Sequence, residues 1–229
     1  MEIYLRNKTD WHWNTVSKIL NYAKEVMRFG MAEGLIPTRP IVLRVTFIET
    51  EHHALKYDHV KKLEEKQWKN KDLQEAADCF LFQCYTGLAY SHMKQFDYKI
   101  HLKANNLEEM ISLKRAKSPL EGKSYQCKVP LLPAAKRILE KYKYELPVLS
   151  NQNYNPYLQL IGEYLDLDYK LTSHIARKTF CSVLYNLGMS IHHIGEWVGH
   201  STAKTTLASY ARGEIKAMGE SVKGLMYGT

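Results

Sequence analysis

In the run Leu171-Thr172-Ser173-His174-Ile175-Ala176-Arg177-Lys178, an imidazole and a guanidinium stand three residues apart. Residues at that spacing share one face of a helix, so His174 and Arg177 can converge on a single group. Arginine offers a planar fork suited to phosphate oxygens, and histidine donates or accepts a proton near neutral pH, which makes a phosphate the natural target. Three other segments stand out beside this pair: Thr86-Gly87-Leu88-Ala89-Tyr90-Ser91, a basic stretch carrying Lys117, and Gly199-His200-Ser201 followed by Thr205-Thr206 and Tyr210.

Composition agrees with a phosphate-rich partner. The 229 residues carry 32 Lys plus Arg against 24 Asp plus Glu, a formal net charge of +8, which favours a polyanion such as nucleic acid. A hydrophobic content of 45% and a charged content of 24% are ordinary globular usage and exclude wholesale disorder and a fibrous fold. Apolar runs fall far short of the roughly 18 to 20 residues that cross a bilayer, and Met1-Glu2-Ile3 does not open a secretory signal. The expectation is a soluble, cytoplasmic protein with no membrane partner. Cys79, Cys84, Cys127 and Cys181 show no CxxC spacing, so reduced core thiols are expected rather than a zinc ribbon or a disulfide framework.

The elements that must position these groups are readable from periodicity. Trp13, Val16, Leu20, Ala23 and Met27 recur at helical spacing after a Thr9-Asp10 start signal, with Gly30 and Gly34 at the end. Ile36-Pro37-Thr38-Arg39-Pro40 cannot continue that helix, and a linker is expected from about Pro37 to Thr50. Helices follow at Tyr57 to Gln67 and at Asp72 to Tyr85, the second with an apolar face of Leu73, Ala76, Ala77, Phe80, Leu81 and Cys84. Tyr125, Cys127, Val129 and Leu131 then alternate with polar residues, facing a run from Met110 to Lys117 across Ser118 to Gly122, which reads as a β-hairpin. Helices resume at Pro133, at Asn155-Pro156 and at Thr172, and Ile215, Met218, Val222, Leu225 and Met226 give a last amphipathic stretch. The fold class expected is mainly α with a small antiparallel sheet.

From Leu171 to Ala211 the ordered series Leu-Thr-Ser-His-Ile-Ala-Arg-Lys-Thr-Phe, Leu-Gly-Met-Ser-Ile, Val-Gly-His-Ser-Thr-Ala-Lys-Thr-Thr and Tyr-Ala resembles the signature of the tyrosine recombinase, or phage integrase, family. The wording around Thr86 to Ser91 is most similar to integrases of mobile elements in the Bacteroidetes. The resemblance implies a catalytic domain at residues 50–229, preceded at 1–49 by the C-terminal part of a helical core-DNA-binding domain plus linker. It implies a site-specific recombinase that integrates or excises a mobile element through a 3′-phosphotyrosyl intermediate, without metal or cofactor. Tyr210 is then the nucleophile, Arg177 and His200 stabilise the phosphorane, His174 assists the tyrosine's proton transfer, and Lys117 is the general acid. Lys114, Arg115 and Lys123 compete with Lys117 for that role and otherwise contact DNA phosphates. The partner implied is double-stranded DNA, bound by a homotetramer that is monomeric when free, with accessory DNA-bending proteins. Because only one helix is convincing before the linker, a truncated N-terminal domain is expected.

Two positions depart from the family pattern. The first active-site arginine usually follows Thr-Gly-Leu, where this chain has Ala89, and the acidic residue expected three places later is His92. Ser91, Lys94 and Arg115 are candidate substitutes. Two other functions therefore stay open: relaxation of supercoils in the manner of a type IB topoisomerase, and a catalytically impaired DNA-binding or regulatory protein. The pairs His52-His53, with His59, and His192-His193 lack the cysteine or carboxylate that would complete a metal set and read as solvated surface.

Overall fold

The computed structural model describes residues 4–5, 11–48, 52–105, 108–114 and 126–199. The chain divides into two compact units, Met1–Glu51 and His52–Thr229.

The first unit is built on α1, Trp13–Ala32. Its N-cap is His12, whose ring accepts from the backbone of Asn14; the expected Thr9-Asp10 signal lies outside the described residues. Gly30 is buried inside the helix, and the turn comes at Gly34, with φ +71°. Val16 and Leu20 form the buried face, while Met27 at 41% is exposed. The stretch expected as a linker is tied back to this helix. Asn14 exchanges two hydrogen bonds with the backbone of Ile48, both at 2.8 Å, and Trp13 donates to the Thr46 carbonyl at 3.0 Å.

The second unit is organised around α3, Lys71–Thr86. The Asn70 side chain caps it by accepting from Leu73 at 3.0 Å, and Gly87, in the left-handed region at φ 65°, ends it. The expected apolar face is buried, but so are Asp78, Phe82, Gln83, Tyr85 and Thr86. The helix is enclosed on nearly all sides because α2 (Tyr57–Glu65), α6 (Pro133–Lys141), α7 (Asn151–Tyr164) and α8 (Ser173–Asn186) pack around it. Asp78 finds its partners in this setting by accepting from Lys141 at 2.6 Å, from Tyr142 and from Gln74. All four cysteines are buried and free.

Two short helices, α4 (Tyr90–Gln95) and α5 (Tyr98–His101), lead into an antiparallel sheet of order β1-β2-β3. The strands are β1 Leu102–Asn105, β2 Glu108–Lys114 and β3 Gln126–Pro130. The expected hairpin is thus the β2–β3 pair, with Leu113 opposite Cys127 and Ile111 opposite Val129, all four buried. β1 is a correction to the two-stranded reading. It is four residues long and exposes Lys103 and Ala104, too little alternation to register as a strand. The expected turn at Ser118 to Gly122 lies outside the described residues.

A second correction concerns α7. Asn155-Pro156 does not open it: Ser150 caps the helix by accepting from Asn153, and Pro156 falls inside. The proline, sixth in the helix, lies beyond the first-turn amides that lack helical partners, so it forgoes one backbone bond of the helix. The last described helix, α9 (Ile191–Val198), packs on β3 and α8 and ends at Gly199, φ 67°. No helix among the described residues is long and apolar enough to cross a membrane. The C-terminal amphipathic stretch from Ile215 to Met226 lies outside the described residues.

Candidate active site

The site grows from α8. Thr172 precedes its first turn, His174 sits in that turn, and Arg177 follows on a face that turns inward, leaving the arginine only 5% exposed. A buried guanidinium must find acceptors, since an unpaired buried charge is costly. Arg177 donates from Nη1 to the carbonyl of Gly87 at 2.9 Å and from Nη2 to the carbonyl of Val198. Of its five N–H groups, these two bonds commit two. One side chain thereby ties together the Thr-Gly-Leu turn, the His-x-x-Arg helix and the Val198-Gly199 helix end.

Gly87 makes this approach possible in two ways. Its φ of +65° is unfavourable for other residues, and a Cβ there would lie 2.4 Å from the Phe180 ring and 3.0 Å from Val198. The turn is held from behind as well. Gln83 donates to the Leu88 carbonyl at 2.9 Å and accepts from Tyr154 at 2.9 Å, while Thr86 donates to Phe82 at 2.7 Å.

Around α9 the same economy applies. The Gly199 amide donates to Glu196 and Gly195, Arg177 serves Val198, and the Cys127 thiol on β3 donates to the Trp197 carbonyl at 3.0 Å. Burial raises the Cys127 thiol to about 11, with the Arg177 charge opposing that rise.

His174 keeps an exposed edge, but its pKa is lowered, first by desolvation from neighbouring protein and then by the positive charges of Lys178, Arg177 and His52. It is therefore a neutral imidazole at pH 7, able to accept a proton. Lys178, whose own pKa burial lowers, lies 3.3 Å from Nδ1 of His52. The segment from His52 to Leu55 runs along α8: Leu55 donates to Thr179 at 2.9 Å, and His53 stacks on Tyr169 at 4.0 Å.

Of the residues expected from sequence, Arg177 and His174 occupy this site, and Lys114 ends β2, exposed and opposite Gln126. Tyr210, His200, Lys117, Arg115 and Lys123 lie outside the described residues. Ala89 is the N-cap of α4, two residues after the carbonyl that Arg177 holds, and is half-buried. His92, one turn on, is 3% exposed, whereas Ser91 and Lys94 are exposed. Among the described residues no group of three or more His, Cys, Asp or Glu side chains could hold a metal ion.

Gln83, Cys127 and His52 were not singled out by sequence as part of this region. Gln83 did carry a signal, as a polar residue within the apolar run from Cys79 to Tyr85. Cys127 carried none that distinguished it from a core thiol.

Residues 143–216 match the phage integrase family. The Tn1549 transposon integrase in complex with circular intermediate DNA is similar in fold, with TM-score 0.68 and 16% identity over 98% of this chain and 83% of that one. A lambda integrase dimer bound to a core site follows at TM-score 0.63 and 15% identity, over 88% and 61%. XerH site-specific recombinase bound to its difH substrate gives TM-score 0.52 and 16% identity, over 68% of this chain. The chain spans about half the length of XerH, 49% of it. No curated protein matches the chain in sequence. The chain has the mainly helical fold, with a small antiparallel sheet, of tyrosine recombinase catalytic domains, and the sequence match to the phage integrase family falls within residues 143–216.

Proposed function

We propose that this chain is a site-specific DNA recombinase that cleaves and rejoins strands through a 3′-phosphotyrosyl intermediate, for integration or excision of a mobile element. Residues 50–229 are its catalytic domain, and residues 1–49 contribute the end of a helical core-DNA-binding domain. Tyr210 attacks the scissile phosphorus, giving its phenolic proton to neutral His174 and forming a P–O bond to the 3′ side of the break. Arg177, through its uncommitted N–H groups, and His200 stabilise the non-bridging oxygens. Lys117 protonates the departing 5′-oxygen, leaving a 5′-hydroxyl, and the reverse attack by a 5′-hydroxyl of another strand completes the exchange.

The observation that carries this reading is the bridge made by Arg177. It gathers into one place the three motif segments that the chemistry requires, one of which runs directly into His200. The family match, a lowered His174 pKa and a net charge of +8 support it. The relatives named above are described in complex with DNA, which supports duplex DNA as the partner here. Exchange between two duplexes calls for four protomers assembled on DNA from free monomers, with accessory DNA-bending proteins assisting. The protein then works at the nucleoid. Lys114, Arg115 and Lys123 bind flanking phosphates.

The test is trapping. Wild type and Tyr210→Phe are incubated with a pool of nicked duplexes of randomised sequence, and covalent adducts are recovered and mapped by peptide mass. An adduct on Tyr210, absent from the variant, is expected. An adduct on another residue, or none with wild type, removes the reading.

A further inference from the structure

The four last carbonyls of a helix have no partner within it, and what satisfies them fixes where the helix ends. In α9 those carbonyls belong to Gly195, Glu196, Trp197 and Val198, and they are served by three different parts of the chain. The cap amide of Gly199 takes the first two, Cys127 on β3 donates to Trp197 at 3.0 Å, and Arg177 on α8 donates to Val198. Two successive carbonyls, immediately before Gly199-His200 in sequence, are thus anchored to the β2–β3 hairpin on one side and to α8 on the other.

The seat is close as well as bonded. A Cβ on Gly199 would lie 3.5 Å from the Cys127 amide and from the Gln126 backbone, so the turn lies against β3 at van der Waals distance. Cys127 itself is fully buried opposite Leu113 on β2, one residue before β2 ends at Lys114. From that end the chain continues within three residues to Lys117. A one-residue shift in strand register would turn Cys127 to the other face and break the contact.

Resting on the recombinase reading above, we propose that Cys127 is a positioning residue. Its thiol joins β3, and through it β2, to the end of α9, and so holds in register with Arg177 the strand pair from whose end the chain continues to the general acid Lys117. A thiol is a weak donor, but its acceptor neighbours the carbonyl that Arg177 holds with a charge-assisted bond, so a small anchor sets the register of a stiff joint. The residue touches no substrate; it acts through the delivery of the general acid.

The test separates delivery of the proton from general damage. Adduct formation is timed for wild type, Cys127→Ser, Cys127→Ala and Lys117→Ala on a duplex recovered from the randomised pool. A second duplex of that sequence carries sulfur in place of the bridging 5′-oxygen, so that a thiolate leaves without needing a proton. The expected result is a loss of about tenfold for Cys127→Ala on the oxygen substrate, recovery to within about twofold of wild type on sulfur, and near-normal rates on both for Cys127→Ser. Equal loss on both substrates, no loss on either, or a serine variant as slow as alanine overturns the proposal. If Cys127→Ala does not fold, Cys127→Val, which fills the space without a donor, is read by the same criteria. A Lys117→Ala protein without an oxygen-specific defect overturns instead the underlying assignment of the acid, and with it the route by which Cys127 acts.

Discussion

Arg177 donates to the carbonyl oxygen of Gly87 at 2.9 Å, joining residues ninety positions apart in sequence. This bond fixes the start of α4, where Ala89 replaces the expected arginine, relative to the helix that carries His174. The same guanidinium holds Val198, so its structural and chemical duties cannot be separated by a single truncation.

They can be separated by a graded one. Arg177→Ala leaves two buried carbonyls without their donor and should cost about 1 to 3 kcal/mol in urea unfolding, besides abolishing cleavage. Arg177→Lys keeps one cation and should recover much of that stability while cleavage still falls by about 10² to 10³, because a point charge cannot hold two carbonyls and a phosphate together. A lysine variant with normal cleavage would contradict the fork geometry.

Gly87 and Gly199 both have positive φ, yet their surroundings differ. At Gly87 a Cβ meets Phe180 at 2.4 Å; at Gly199 the nearest atoms stand at 3.5 Å. Gly87→Ala should therefore destabilise by more than about 2 kcal/mol, combining backbone strain with overpacking, and Gly199→Ala by about 1 kcal/mol from strain alone. Thermal and urea unfolding of the two variants give the comparison.

Ala89 is half-buried at the N-cap of α4, beside the turn that Arg177 holds, so a longer side chain there starts from the edge of the core. Restoring the missing cation by Ala89→Arg should raise the rate of adduct formation on a nicked duplex at least tenfold, since one oxyanion donor is typically worth about 10² to 10³. An unchanged or lower rate would mean that no empty charge site exists there.

The His174 pKa lies below its ordinary 6.5, through desolvation and then Lys178, Arg177 and His52. Above that ordinary value the imidazole is neutral in both folded and unfolded chains. As pH falls below it, the unfolded chain takes up the proton first, so stability declines until the folded pKa is reached. His174→Asn should flatten stability against pH in that window. Imidazole NMR of the wild type should show His174 titrating below 6.5, and a midpoint at or above 6.5 would defeat the assignment of a neutral base.

Affinity for duplex DNA should fall steeply with salt, the slope of log K on log salt being about −0.9 per phosphate neutralised. Removing the charge of Lys114, exposed at the end of β2, should lower that slope by about one unit if it meets the backbone. An unchanged slope would take Lys114 out of the interface.

The sequence alone determined the local elements and pointed to a phosphate as the target of the chemistry. A period near 3.6 marked α1 and α3, a period of two marked β3, and the three-residue spacing of His174 and Arg177 put both on one helix. All of these depend on neighbours a few positions away. It misread the start of α7, because Pro156 resembles a first-turn proline and the cap at Ser150 is a single hydroxyl. It missed β1, whose four residues bury too little to alternate. Only the tertiary structure decided that Arg177 spends two donors on Gly87 and Val198, that Gln83 secures the turn before Ala89, and that Cys127 meets the end of α9. Those pairings join segments from 5 to 90 residues apart, and they follow from how buried donors and helix-end carbonyls are shared once the helices close around α3.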